Sequence, residues 1–220
     1  MHDFFCKGLF MISITKRYFH QLFGYVDLAV DFSQENNEYT VYTCKDDLDI
    51  ILTLVHVFRS RFIVEFGVQA GLTAKILLTQ FSHIQQYEGV DITKGGTVPL
   101  AHQQNEIPSN AGRHAMDDNR FHLTLRPRGT RDLSPQKLRG ADFIFIDGDH
   151  SASGVAYDTE LAYSILRGRG IVCWHDYGTE SGVTQFLDGL DTYQPQICHV
   201  LHTSVCFHIF TGLQANRFNK

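Results

Sequence analysis

Phe143-Ile144-Phe145-Ile146 runs without a polar break straight into Asp147-Gly148-Asp149-His150. Successive side chains of a strand point to opposite faces, so a strand with one wet face alternates apolar and polar residues. A run with no alternation is buried on both faces, the situation of an inner strand in a parallel sheet covered by helices. Phe62-Ile63-Val64-Glu65-Phe66 reads the same way and ends at Gly67. Three further strands are expected at Tyr87–Ile92, Phe121–Leu125 and Ile171–Trp174. Between them the apolar residues recur at helical spacing: Leu72, Ile76, Leu77 and Phe81, then Val155, Leu161, Ala162, Ile165 and Leu166, then Val183, Phe186, Leu187 and Leu190. An earlier helix carries Leu48, Ile51, Leu52, Val55 and Phe58, with Asp46 or Asp47 placed to cap its start. Strands alternating with helices predict a doubly wound, Rossmann-like α/β sheet, mostly parallel. The stretch from Ile197 to Phe210 has room for two strands but not for a helical crossover, which predicts an antiparallel C-terminal pair at the sheet edge.

The 220 residues suit one domain of ordinary size, with 43% apolar residues to fill its core. Residues 1–45 lack a clear period and scatter Phe4, Phe5, Phe10, Phe19 and Phe23. They read as an accessory segment, a lid or a subunit contact in a homo-oligomer, ahead of a main domain over 46–220. A net charge of −5 argues against a surface built for nucleic acid, which needs a basic face. Arg113, Arg120, Arg126, Arg128 and Arg131 gather with His114 and His122 in one stretch, read first as a solvated loop and strand edge and second as an anionic-ligand patch. Five cysteines (Cys6, Cys44, Cys173, Cys198 and Cys206) are scattered without a C-x-x-C, which predicts reduced thiols in a cytoplasmic protein. Charged residues interrupt the N-terminal apolar stretch and no run reaches membrane-spanning length, so neither a signal peptide nor a membrane partner is expected. The least regular stretch, Thr93 to Asn119, is expected to hold a loop over the site.

In an open α/β sheet, ligands sit beyond the carboxyl ends of the strands, where the strand order reverses. The first core strand ends there in Glu65-Phe66-Gly67-Val68-Gln69-Ala70-Gly71. Gly67 permits a sharp turn, and Gly71 permits a ligand to approach the helix start. A nicotinamide-binding turn would carry G-x-G-x-x-G and face a pyrophosphate with the helix N-terminus. The turn here is G-x-x-x-G with an acid at the strand end, suited instead to ammonium and sulfonium charges. Asp91, one βα unit later, stands where an acid accepts hydrogen bonds from ribose hydroxyls. With these features the chain from about Asp47 to Gly212 resembles the class I S-adenosylmethionine-dependent methyltransferases. The resemblance implies that Glu65, Gly67, Gly71 and Asp91 line the cofactor pocket.

Asp147-Gly148-Asp149-His150 closes one strand, and His175-Asp176-Tyr177 closes the next. Converging Asp and His groups can bind a divalent cation or act as a base. Either acid alone reads as a helix cap; the pair at adjacent strand ends reads as functional. Asp-Gly-Asp-His, a helix bearing Gly154, Val155 and Asp158, and then Ile-Val-x-Trp-His-Asp-Tyr together resemble the metal-dependent sugar O-methyltransferases of macrolide biosynthesis. The likeness to catechol O-methyltransferase and to the cephalosporin hydroxylase-like proteins is more distant. This resemblance puts Asp147, His175 and Asp176 at metal-ligand positions, for magnesium or manganese, and His150 at the position of the general base. That family usually carries an acid where His175 stands. Histidine there favours a softer ion such as manganese or zinc over magnesium, or leaves the metal site incomplete. A second departure is Arg167-Gly168-Arg169-Gly170, where related sequences have Pro-Gly-Gly. His56 and His199 read as packing or surface residues.

The expected reaction is transfer of a sulfonium methyl group to the hydroxyl of a small-molecule substrate, with metal assistance. Three rivals are carried: a hydroxylase-like or hydrolytic metal enzyme on the same fold, a nicotinamide oxidoreductase, and a non-catalytic cofactor-binding or assembly protein.

Overall fold

A computed structural model describes residues 11–27, 43–93, 109–167, 169–190 and 197–211. Phe4, Phe5, Phe10, Cys6, residues 94–108 of the expected loop and Gly168 lie outside the described residues. In chain order the elements are β1 (Ile12–Thr15), α1 (Lys16–Phe23), α2 (Lys45–Val57), β2 (Phe62–Phe66), α3 (Leu72–Gln80), β3 (Gln86–Ile92) and β4 (Phe121–Arg126). They continue with two short 3₁₀ turns, then β5 (Phe143–Ile146), α4 (Ala152–Leu166), β6 (Arg169–Trp174), α5 (Ser181–Leu190), β7 (Cys198–Leu201) and β8 (Cys206–Thr211).

The described strands form one sheet in the order β1-β7-β8-β6-β5-β2-β3-β4. β2 lies parallel to β3 on one side and to β5 on the other, so the strand order reverses between β2 and β5. β8 runs antiparallel to both β6 and β7, as the short connection requires. The pair does not end the sheet, however, because β1 adds beyond it, parallel to β7.

β5 bears out the meaning of its unbroken apolar run. Phe143 and Phe145 pack on one face with Leu48, Ile51, Leu77 and Phe19, residues of α2, α3 and α1. Ile144 and Ile146 pack on the other face with Val155, Ala162, Ile165 and Leu187 from α4 and α5. Helices thus cover both faces. Asp142, just before β5, accepts hydrogen bonds from the backbone amides of Arg61 and Phe62, which fixes the register of the two central strands.

The start of α2 differs from expectation. Its N-cap is Cys44, with no side-chain cap, and Asp47 turns into the interior instead. A capping acid would have stayed in water; this one has partners elsewhere in the fold. Helix α4 follows the ordinary rule, with the Ser151 hydroxyl accepting from the Gly154 amide at 3.1 Å.

Within the arginine-rich stretch, Arg120 has a structural role. Its guanidinium donates to the carbonyls of Leu78 (2.6 Å), Phe81 (3.1 Å) and Ile84 (3.2 Å) around the end of α3 and is held by Asp118 at 2.6 Å. A cation there satisfies carbonyls that the helix leaves unpaired and favours the negative end of its dipole. Arg128 pairs with Asp132, and Arg131 lies 4.7 Å over the Tyr157 ring. Replacing Arg120 with Ala should therefore destabilise the protein by about 1–3 kcal/mol, the usual loss when a hydrogen-bonded network is cut. Urea unfolding should show it as a lower midpoint at unchanged slope. Arg120→Lys should recover only part, since an ammonium cannot span the same fork of acceptors.

Candidate active site at the strand switch point

The reversal of strand order puts the ends of β2, β3, β5 and β6 side by side, and each delivers ionisable groups there. Glu65 ends β2, 2% exposed, and accepts a hydrogen bond from the Tyr87 hydroxyl of β3 at 3.0 Å. Burial raises its carboxyl well above the ordinary glutamate value, and the charges of Asp147 and Asp91 push further in that direction. Asp91 is raised too, mainly by burial, against the pull of the backbone amides it binds. Asp147 thus disfavours charge on both Glu65 and Asp91, and Asp91 disfavours it on Glu65. Such a setting favours a cationic ligand.

The Glu65–Gly71 turn is wound by three positive φ angles, at Gly67 (86°), Gln69 (48°) and Gly71 (81°). Asp91 Oδ2 accepts from the amides of Val68 (3.0 Å) and Gln69 (2.7 Å), tying the turn to β3. The sharp turn expected of Gly67 is present, and close backbone packing also requires glycine at both positions. A Cβ on Gly67 would stand 2.1 Å from the Asp147 carbonyl oxygen, and one on Gly71 would stand 2.8 Å from Gly112 Cα. The segment around Gly112 clamps the turn through Gly112 N to Gln69 O (2.8 Å) and His114 N to Ala70 O (3.0 Å).

At the ends of β5 and β6 the sequence-predicted ligands come together. Ligand atoms of Asp147, His175 and Asp176 all lie within 4.8 Å of one another. His175 Nδ1 is 3.1 Å from Asp147 Oδ1 and 3.3 Å from Asp176 Oδ1. His150 Nε2 sits between the same two carboxylates, 3.2 Å from Asp176 Oδ2 and 3.6 Å from Asp147 Oδ1. Asp176 holds φ at 64°, a left-handed conformation that aspartate tolerates better than most residues. Burial alone would raise the Asp147 carboxyl, but the imidazoles of His175 and His150 hold it down at about 2. Burial opposes charge on both histidines as well; the carboxylates around them outweigh it and raise both, His175 far above its ordinary value.

Two carboxylates and an imidazole from adjacent strands are a donor set that suits a divalent ion of intermediate softness. The sequence did not reveal a third carboxylate, Asp47 of α2, whose Oδ2 lies 3.2 Å from His175 Nε2. Its only local signal was an acid in the first turn of a helix, which usually means a cap. His56 and His199 are not among the cluster; His56 meets Phe81, and His199 meets Tyr177 and the Thr203 carbonyl.

Asp158 of α4 supports the floor of the site. It is 2% exposed, accepts from the Thr130 hydroxyl, and would lie 3.6 Å from a Cβ on Gly148. Burial pushes its carboxyl up to about 7, with Asp149 adding to the rise. A carboxyl raised on folding contributes stability that is fully present below its unfolded value and is lost as pH rises through about 7. Asp158→Asn, neutral at every pH, should gain in melting temperature relative to wild type between pH 5 and pH 8.5. A constant difference across that range would mean that Asp158 does not titrate there.

A family model described as a methyltransferase domain matches residues 64–177. No curated protein sequence matches. Among solved structures, an S-adenosylhomocysteine-bound methyltransferase of Podospora anserina is 14% identical, with 88% of this chain and 92% of that one covered and a TM-score of 0.55. An O-methyltransferase of tomaymycin synthesis from Streptomyces achromogenes, in complex with S-adenosylmethionine, is 14% identical over 88% and 86% of the two chains, with a TM-score of 0.53. A putative caffeoyl-CoA O-methyltransferase from Staphylococcus aureus is 14% identical over 88% and 90%, with a TM-score of 0.52. At such identity these neighbours establish the architecture. Among the described residues no helix is long and apolar enough to cross a membrane.

Proposed function

The chain belongs to the methyltransferase-domain family, and from that premise we propose that it moves a methyl group from S-adenosylmethionine to a hydroxyl of a small molecule, assisted by a divalent cation. The observation that carries the reading is the meeting, at one switch point, of an acidic cofactor-side pocket (Glu65, Asp91) and the Asp147–His175–Asp176 cluster. Bound S-adenosylmethionine supplies an electrophilic methyl group and brings two positive charges, ammonium and sulfonium, to a pocket short of cations. Glu65, Gly67, Gly71 and Asp91 would shape and hold its place. A divalent cation on Asp147, His175 and Asp176 would bind substrate oxygen and lower the pKa of the attacking hydroxyl. His150, beside the same carboxylates, would take the hydroxyl proton. The residues from 1 to 45 remain proposed as an accessory segment, of which β1 and α1 join the sheet and core.

The cofactor half is tested by proton linkage. Burial raises the Glu65 carboxyl well above its ordinary value, and a cation beside it favours its ionised form. Binding should therefore release protons, and affinity should rise with pH. Calorimetry in two buffers of different ionisation heat measures the release, which Glu65→Gln should abolish. No proton release in wild type would remove Glu65 from the pocket.

The metal half is tested by chelation. EDTA should abolish turnover while leaving S-adenosylmethionine affinity nearly intact, because the cofactor-side contacts lie on β2 and β3. Asp147→Ala should behave like chelation and resist added metal. His150→Ala should bind cofactor and metal yet lose roughly 10²-fold or more in kcat, the usual size of a lost base. Full activity in EDTA would take the metal out of the reaction. Turnover of substrate with no S-adenosylhomocysteine formed would favour the hydrolytic alternative.

A further inference from the structure

Asp47 lies outside the matched segment 64–177, on a helix that the reading of the site does not otherwise use. Its side chain is 5% exposed and that of its partner His175 is 2% exposed. The two nitrogens of the His175 ring face different surroundings. Nε2 meets Asp47 Oδ2 at 3.2 Å in the interior, and Nδ1 faces Asp147 and Asp176 at the site.

Asp47 is fixed in turn. Its Oδ1 accepts from the Ser204 amide at 2.7 Å in the β7–β8 turn, and its Oδ2 from the Cys44 thiol at 3.2 Å. The Ser204 carbonyl accepts from the Tyr177 amide at 3.0 Å, so one turn residue holds both Asp47 and the loop that carries Asp176.

From this geometry we infer that Asp47 is a positioning residue: it accepts the Nε2 proton of His175 and so directs the Nδ1 lone pair at the cation site. An ionised carboxylate accepts hydrogen bonds and donates none. With a cation held by Asp147 and Asp176 on the Nδ1 side, the opposite tautomer would set an imidazole lone pair against the Asp47 carboxylate. Anchoring a ligand imidazole through its other nitrogen fixes its tautomer and orientation and raises its basicity, and loss of such a partner typically weakens metal affinity about 10–100-fold. The inference rests on the metal reading above.

The test uses Mn²⁺ alone, its free concentration followed by electron paramagnetic resonance during titration of the full chain. Asp47→Asn should weaken Mn²⁺ binding about 10–100-fold. In a His175→Asp background, where the ligand has no tautomer to set, the same substitution should cost nothing. That contrast separates positioning through the ring from support of the fold, which would cost the same in both backgrounds. A second measurement needs no variant: nitrogen-15 NMR of the Zn²⁺-loaded wild type should find His175 protonated at Nε2. Unchanged Mn²⁺ affinity in Asp47→Asn, an equal loss in both backgrounds, or a proton on Nδ1 would each overturn the role of Asp47 alone. Equal Mn²⁺ binding by wild type and Asp147→Ala would overturn the metal site itself, and the inference with it.

Discussion

Removing an ion from water costs several kcal/mol even after relaxation, so a buried charge persists only where partners meet it with good geometry. His175, sealed between Asp47 on one nitrogen and Asp147 with Asp176 on the other, obeys that rule and imposes it on its neighbours. To bring those carboxylates to one ring, β5 and β6 must end together, α2 must approach them, and the β7–β8 turn must supply the Ser204 amide. Much of the topology on this side of the switch point can be understood as what surrounds one imidazole.

The other side of the switch point carries the opposite imbalance. Around Glu65 and Asp91 the gathered acids act in one direction: Asp147 raises both carboxyls, and Asp91 raises Glu65 further. Among the described residues this side is thus the more acidic, whereas the His–Asp cluster balances its own charge. Asp147 belongs to both sets. It is pulled down to about 2 by the histidines and in turn raises Glu65, so the occupancy of one half of the site is felt electrostatically in the other.

The sequence carried most of this because apolar runs and helical periods are local. Strands β2 to β6, their helices and the antiparallel β7–β8 pair all followed from residues near one another in the chain. β1 was missed because Ile12 to Thr15 is short, with three of its four residues exposed, and pairs only with distant β7. Gly67 was expected to permit a sharp turn, and its φ of 86° bears that out; a further constraint on both glycines was not legible. It lies in the backbone of Asp147 and Gly112, far along the chain, which no local pattern announces. Asp47 was hidden for the same reason. In the first turn of an amphipathic helix an acid reads as a cap, and only the fold brings it to residue 175.

Asp47 also gives a physical meaning to the histidine that sets this chain apart from the family it resembles, which usually carries an acid at that position. An acid at 175 would face Asp47 across the same dry interior, two like charges with no water between them, an arrangement that disfavours charge on both. In the proposed metal site, histidine at 175 would keep the negative charge one step back, on the Asp47 carboxylate that holds the ring. With a cation bound at Nδ1, the imidazole anchored to Asp47 would be neutral and would present the site with the same net charge as a carboxylate ligand backed by a neutral residue. His175 and Asp47 thus work as one unit, far apart in the sequence and in contact in the fold.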